Sequence, residues 1–137
     1  MKVVIMGCGR VGARMAGEMS ESGHDVTIID LDTRAFRRLP DGYEGKRVHG
    51  NAINSKVLER AGIRDADAFV AVTQGDNRNY MASQIAKEIY HVPKVLCRIY
   101  DPIRQEMFNE PALQTFSPTS MGANIMLGML GLGEGGA

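Results

Sequence analysis

The stretch KVVIMGCGRVG at residues 2–12 decides the fold of this 137-residue chain. The four residues after the opening lysine are apolar, which is typical of a short strand buried in a sheet. Gly7, Gly9 and Gly12 follow at once, and the chain then continues with helical spacing until Gly23. A strand, a glycine-rich turn and a helix in this order form the phosphate-binding unit of a nucleotide-binding domain.

Each glycine of this turn has its own physical reason. Gly7 permits the tight turn, Gly9 lets the backbone approach a pyrophosphate, and Gly12 allows close packing of helix on strand. The free N–H groups at the start of the helix favour an anion. We count Arg10 and Val11 with this site. The Arg10 guanidinium either reaches a terminal phosphate or stays solvated at the helix start.

An acidic residue ends the second predicted strand, Asp25–Asp30. Asp30 lies eighteen residues beyond Gly12, where a carboxylate accepts hydrogen bonds from both ribose hydroxyls. The next two residues are Leu31 and Asp32, so no arginine that could bind a 2′-phosphate directly follows Asp30. We count Leu31 with the cofactor site. A 2′-phosphate would meet two carboxylates here, so the sequence disfavours NADP against NAD or another unphosphorylated ribose.

Strands and helices alternate over the rest of the chain. Further strands are predicted at 46–50, 66–73, 94–100 and 115–117, and helices at 33–39, 54–60, 76–90, from 102 onward and at 118–133. Such alternation with short connections implies right-handed βαβ units and a parallel sheet that helices cover on both faces. The prediction is one doubly wound α/β domain of the Rossmann type over residues 1–137, with six parallel strands.

The composition excludes several classes of protein. Hydrophobic residues make up 44% of the chain, which excludes wholesale disorder. Sixteen basic residues balance sixteen acidic ones, which argues against nucleic-acid binding through a dominant basic surface. Two cysteines lack the spacing of a metal site, and glycine interrupts the N-terminus before a signal-peptide apolar region could form. A reducing cytosol and no metal are expected.

The C-terminal part carries no charged residue from position 111 to position 133. Its first half is polar, and the apolar run at 121–132 is only about three helical turns long. That length suits a buried or partner-covered helix better than a membrane span. The apolar residues run around most of the helix circumference, and one sheet face cannot cover all of them.

Several further motifs resemble a known family along nearly the whole chain. They are GCGRVG at 7–12, VTIID at 26–30, GNA at 50–52, LERAGIRDADAFVAVT at 58–73, Asp76 with Asn79, and VLCR at 95–98. Together they resemble the N-terminal nucleotide-binding domain, called RCK, KTN or TrkA-N, of Trk- and Ktr-type potassium-uptake regulators. The stretch at 58–73 is the most specific part of the resemblance.

The resemblance implies a regulatory subunit rather than an enzyme. Such a subunit would be cytoplasmic, peripheral to the inner face of the plasma membrane, and would gate a potassium channel or transporter. Its ligand would be NAD(H) or ATP/ADP. In this family the last helix crosses to a neighbouring subunit, so we expect a homodimer or larger ring assembled through 118–133. The alternative is a helix buried on its own sheet with a frayed tail.

The resemblance also assigns site residues. Gly7, Gly9, Arg10 and Gly12 would contact phosphates, Asp30 the ribose, Asn51 and Ala52 the adenine, and Thr73 would face the cofactor. Arg98 falls on the family's recurrent arginine after the fifth strand, either at a phosphate or at a subunit contact.

Two departures from the family pattern bear on these expectations. Asn51 stands where the family usually has an acidic residue, which bears on the preferred nucleotide. Many members continue into a C-terminal ligand-binding domain, whereas this sequence ends at Ala137. The chain is therefore either a single-domain member or one domain of a longer protein.

Two other functions remain open from the residues alone. A small NAD-dependent oxidoreductase would need a substrate domain and a proton donor or acceptor beside the nicotinamide. The three histidines, His24, His49 and His91, and the turn residue Cys8 have no evident catalytic partner. A nucleotide or redox sensor for a soluble partner has no such requirement.

Overall fold

One sheet of six parallel strands carries the fold in the computed structural model, which describes residues 1–133. The strands are β1 (Lys2–Met6), β2 (Asp25–Asp30), β3 (Lys46–His49), β4 (Ala68–Ala71), β5 (Lys94–Arg98) and β6 (Leu113–Phe116). Their order across the sheet is β3-β2-β1-β4-β5-β6, so the direction of winding reverses between β1 and β4. This is the order of a doubly wound nucleotide-binding sheet, and the predicted Rossmann architecture is confirmed.

Helices connect consecutive strands throughout. The α-helices are α1 (Arg10–Glu21), α2 (Ser55–Arg60), α3 (Asp76–Gln84), α4 (Pro102–Phe108) and α5 (Pro118–Met129). Short 3₁₀-helices lie at Thr33–Arg38 and Ile63–Asp65, and a π-helix at Ile85–Ile89 extends α3. Asp32, Asn54 and Asp101 each begin a helix by accepting a hydrogen bond from the backbone N–H two residues later.

The core lies on both faces of the sheet, because successive side chains of a strand point to opposite faces. Val4 and Met6 of β1 join the cluster that includes Phe69, which α2 and α3 cover. Val3 and Ile5 join the opposite cluster, which α1 covers. With both faces covered, the carboxyl ends of the strands form the edge at which a ligand can bind.

The predicted helix at 76–90 exists, and its large apolar residues divide between core and solvent, because Tyr80 and Ile85 pack half-buried against the core. Met81 and Ile89 are exposed, whereas small or polar residues face the sheet: Asn79, Ala82, Ser83 and Ala86. The small side chains let α3 approach β4 and β5 closely. The π-helix then widens the last turn, which puts Ile89 out of phase with the buried side.

Helix α5 covers no part of the core. Its bounds, Pro118–Met129, are shorter than the predicted range 118–133, and none of its residues is buried. Its large apolar side chains are exposed, with those of the following turn: Met121, Ile125, Met126, Leu127, Met129, Leu130 and Leu132. Among the described residues, no helix combines the length and the hydropathy needed to cross a bilayer. Residues 134–137 of the predicted domain lie outside the described part.

Candidate functional site

A cleft of about 770 Å³ opens at the carboxyl edge of the sheet, where the strand order reverses. Such a switch point is the usual ligand site of an open α/β sheet. Ten of the eleven residues predicted from the sequence line it: Gly7, Gly9, Arg10, Val11, Asp30, Leu31, Asn51, Ala52, Thr73 and Arg98. Gly12, the eleventh, packs behind the turn, where a Cβ would lie 1.8 Å from the carbonyl oxygen of Gly7.

The glycine turn leaves the start of α1 open. Gly7 has a φ of +110°, and a Cβ there would lie 3.0 Å from the Thr73 nitrogen, so only glycine fits this position. Gly9 is the N-cap of α1 and has no side chain to bond the first-turn N–H groups. These N–H groups and the positive end of the helix dipole are therefore available to a phosphate.

The Asp30 carboxylate is held in place by two backbone N–H groups. Its Oδ2 accepts a hydrogen bond of 2.8 Å from the Cys8 nitrogen, and its Oδ1 accepts one of 2.8 Å from the Asp32 nitrogen. A carboxylate has about four acceptor sites, so capacity remains for two hydroxyl groups. The end of β2 thus presents an oriented acceptor beside the glycine turn.

Leu31, Asn51 and Ala52 form the wall next to Asp30. Leu31 is 49% exposed, and its carbonyl oxygen lies 2.9 Å from His49 Nε2. The Asn51 side chain accepts a hydrogen bond of 3.1 Å from the Ile53 nitrogen and so shapes its own turn. Ala52 is buried against the core. An apolar leucine and a small turn suit a flat aromatic base.

A buried polar network closes the opposite end of the cleft. Asn79 Nδ2 donates hydrogen bonds of 2.9 Å to the carbonyl oxygens of Thr73 and Arg98. Asn79 Oδ1 accepts hydrogen bonds from the Thr73 nitrogen at 3.0 Å and the Thr73 hydroxyl at 2.5 Å. One amide of α3 therefore ties the end of β4 to the end of β5.

Arg98 lies in this end with only 7% of its surface exposed. Its Nη2 donates hydrogen bonds of 2.6 Å to the Val72 carbonyl and 2.9 Å to the Thr73 carbonyl. The guanidinium carbon lies 4.9 Å from the centre of the Tyr100 ring, within cation–π range. Its Nε has no hydrogen-bond partner within residues 1–133.

Several lining residues were not found from the sequence, and Arg38 is the most informative of them. Its Nη1 lies 3.4 Å from the Cys8 carbonyl oxygen, so a cation reaches the neighbourhood of Asp30 after all. Arg38 lies eight positions after Asp30, beyond the residues that directly follow the strand, where an arginine for a 2′-phosphate is expected. Arg78 and Tyr100 line the far end of the cleft and carried no motif signal.

Of the reactive groups considered from the sequence, Cys8 lies in the cleft and His24 does not. Burial, and next the charge of Asp30, raise the pKa of the Cys8 thiol to about 11, so it stays protonated at neutral pH. His24 Nδ1 contacts the N-terminal amine at 2.8 Å, away from the cleft. Within the described residues, no cluster of His, Cys, Asp and Glu could hold a metal ion.

Solved structures share this fold at low sequence identity. The TrkA-N domain of the inner membrane protein ybaL from Escherichia coli superposes with a TM-score of 0.83 at 18% identity, over 94% of this chain and 96% of that one. The GsuK channel bound to NAD superposes with a TM-score of 0.75 at 16% sequence identity, over 93% of this chain and 23% of that one. GsuK bound to ADP superposes with a TM-score of 0.76 at 22% sequence identity, over 93% of this chain and 33% of that one.

Sequence relatives are more similar. The Trk system potassium uptake protein TrkA of Streptomyces coelicolor is 42% identical over 127 residues, which are 93% of this chain and 57% of the relative. The TrkA homolog of Pyrococcus abyssi is 37% identical over 110 residues, 80% of this chain and 48% of the relative. The chain thus spans about half the length of these curated relatives. Because residues 3–118 match the TrkA-N domain as well, the resemblance is confirmed: this chain belongs to the TrkA-N domain family.

Proposed function

We propose that the cleft binds an adenine nucleotide, either NAD(H) or ATP/ADP, and that its occupancy gates a membrane potassium channel or transporter. The observation that carries the proposal is the Asp30 carboxylate, fixed by two N–H groups beside an uncapped helix N-terminus. An oriented hydrogen-bond acceptor next to an anion site suits a ribose and the phosphate attached to it.

The ligand would lie across the carboxyl edge of the sheet. Its phosphates would bind the N–H groups of the glycine turn, with Arg10 as a charged partner. Its ribose hydroxyls would donate to Asp30, and its base would pack against Leu31 and the turn at 51–52. Thr73 would face the part of the ligand beyond the first phosphate.

The family and the chemistry of the cleft both support the regulatory role. The relatives are named for potassium uptake, and the protonated Cys8 thiol offers no nucleophile. A switch needs only that the nucleotide has different affinity for two arrangements of the protein. We infer a cytoplasmic homodimer or larger ring at the inner face of the plasma membrane, beneath the transport protein and assembled through α5.

Asp30→Asn tests the site, with Asp41→Asn as the matched control. Asp41 is exposed and lies outside the cleft. Loss of the Asp30 charge weakens two charge-assisted hydrogen bonds, so we expect calorimetric titration to give at least about tenfold weaker binding of NADH, ADP and ATP. Asp41→Asn should bind as the wild type does.

The same pair of variants tests gating. Cells that carry Asp30→Asn should lose the nucleotide dependence of rubidium uptake, whereas cells with Asp41→Asn should keep it. If the wild-type chain binds no adenine nucleotide at millimolar concentration, the nucleotide site is wrong. Turnover of NADH or NAD with small alcohols or acids would instead favour an oxidoreductase.

A further inference from the structure

Arg38 is a cation that lies beside the residue expected to hold a ribose. Its Nη1 lies 3.4 Å from the Cys8 carbonyl oxygen, and the Cys8 nitrogen donates a hydrogen bond to Asp30 Oδ2. No carboxylate of residues 1–133 lies within 4 Å of the Arg38 guanidinium. Within the described chain, that one long hydrogen bond occupies one of five N–H donors, and the others remain for an anionic ligand.

The 3₁₀-helix at Thr33–Arg38 fixes the backbone from which this side chain extends. Ala35 and Leu39 are each only 7% exposed, which anchors this segment on the core. Arg38 itself is exposed, and it borders both the cleft and a groove of about 630 Å³ along α1. Because Arg38 borders open space on two sides, its guanidinium has room to turn toward a ligand in the cleft.

The two carboxylates at this end of the cleft are already engaged. Asp30 accepts hydrogen bonds from two backbone N–H groups, and Asp32 forms an ion pair of 3.1 Å with Arg34. Two further arginines, Arg10 and Arg38, line both the cleft and the groove beside it. A phosphate added to the ribose would therefore meet cations as well as the Asp30 carboxylate.

We propose that Arg38 determines specificity at the ribose and lets the cleft accept a 2′-phosphate, the group that distinguishes NADP(H) from NAD(H). This inference rests on the proposed nucleotide site and extends its ligand class. In sheets of this kind, an arginine near the end of the second strand accommodates a 2′-phosphate. Asp30 would keep the 3′-hydroxyl, while the 2′-phosphate would form charge-assisted hydrogen bonds with the Arg38 guanidinium. Arg38 thereby offsets the repulsion from Asp30 and Asp32, which from the sequence alone disfavours NADP.

Titration calorimetry at fixed ionic strength with AMP and adenosine 2′,5′-bisphosphate isolates the 2′-phosphate, because the two ligands differ only in that group. We expect the wild type to bind the bisphosphate at least as tightly as AMP. Arg38→Gln should lower the affinity for the bisphosphate relative to AMP at least about tenfold, since a hydrogen bond between charged groups is worth about that factor. The affinity for NADPH relative to NADH should fall in the same way.

Arg37→Gln is the matched control, because Arg37 is exposed in the same 3₁₀-helix but does not line the cleft. It removes the same charge and should keep both affinity ratios. Arg38 is exposed as well, so neither substitution should change the free energy of unfolding in urea by more than about 0.5 kcal/mol.

Three results would overturn the role of Arg38 while the nucleotide site stands. They are tighter binding of AMP than of the bisphosphate by the wild type, equal affinity ratios in the wild type and Arg38→Gln, and an equal loss in Arg37→Gln. Failure of AMP, ADP and NADH all to bind would overturn the proposed function, and this inference with it.

Discussion

Gly9 and Gly12 belong to the same turn but are required for different reasons. A Cβ at Gly12 would collide with the Gly7 carbonyl oxygen, whereas a Cβ at Gly9 would meet nothing within 4 Å. Gly12 therefore serves the packing of α1 on the sheet. Gly9 keeps the space in front of the helix open, which is the space that a phosphate would occupy.

Alanine at each position separates these two roles. Gly12→Ala should lower the free energy of unfolding by at least about 2 kcal/mol, because the backbone of Gly7 has to move. Gly9→Ala should change it by less than about 0.5 kcal/mol, since φ at Gly9 is an ordinary −84°. Urea unfolding measures both effects.

Measurements of ADP binding complete the comparison of the two glycines. Gly9→Ala should weaken ADP binding at least about tenfold, because its methyl group stands where the phosphate approaches the backbone N–H groups. Wild-type affinity in Gly9→Ala would show that the phosphate does not lie on the turn.

The site residues that directly follow a strand could be predicted from the sequence. The presence of Arg38 in the cleft could not. Gly7, Asp30 and Thr73 follow recognisable strands, and the carboxyl ends of parallel strands meet at one edge. Arg38 reaches the turn only because the 3₁₀-helix at Thr33–Arg38 folds back toward Cys8. Nothing in its immediate sequence neighbourhood signals that direction.

At the scale of elements, the end of the long helix holds its chain in an unusual conformation. His91 follows the π-helix and has a φ of +53°, while no other non-glycine residue of the described chain has a positive φ. A residue with a Cβ is disfavoured in the left-handed region by about 1–2 kcal/mol. Glycine is the common residue at such helix ends.

His91→Gly should therefore be more stable than His91→Ala by about 1 kcal/mol. Both variants remove the imidazole, so the comparison isolates the backbone conformation. Thermal and urea unfolding of the two proteins measure the difference. Equal stability would mean that this turn relaxes to a negative φ.

The helix at 76–90 also shows where hydrophobic periodicity does not identify the buried side of an element. The helix predicted at 76–90 is present, but its large apolar residues mark its packed side incompletely, because Tyr80 and Ile85 pack against the core while Met81 and Ile89 are exposed. Ala82, Ser83 and Ala86 pack there because β4 and β5 lie close beneath them. Periodicity weights residues by hydrophobicity, so a contact made of small side chains carries little signal.

At the scale of the whole molecule, α5 is the helix that covers none of the core of the described domain. None of its residues is buried, and Met129 is 81% exposed. A row of exposed methionine, isoleucine and leucine is costly in water and typical of a surface that another chain covers. Its uncharged sequence suits such a role.

Ile125→Glu combined with Met129→Glu should dissociate the assembly. We expect sedimentation at micromolar concentration to give a dimer or larger ring for the wild type and a monomer for the double variant. Asn124→Glu, at another exposed position on the same helix, is the control for added charge and should keep the assembly. A wild-type monomer with unchanged folding would contradict the role of α5.

The doubly wound parallel sheet could be predicted from the alternation of strands and helices, because right-handed connections leave few topologies. The direction of α5 could not be predicted in the same way. Its helical pattern and its lack of charge were visible, yet they left burial on its own sheet open as the alternative. What distinguishes the two is the contact surface of the folded domain, on which α5 is not buried.

The Asn79 amide has a consequence for how a signal could leave the cleft. Because it bonds the backbone of Thr73 and Arg98 at once, it links the ends of β4 and β5 to the first turns of α3. Met81 stands two residues further along, on the solvent side of the same helix. A protein bound to α3 would thus contact a helix whose first turns are hydrogen-bonded to the edge of the cleft.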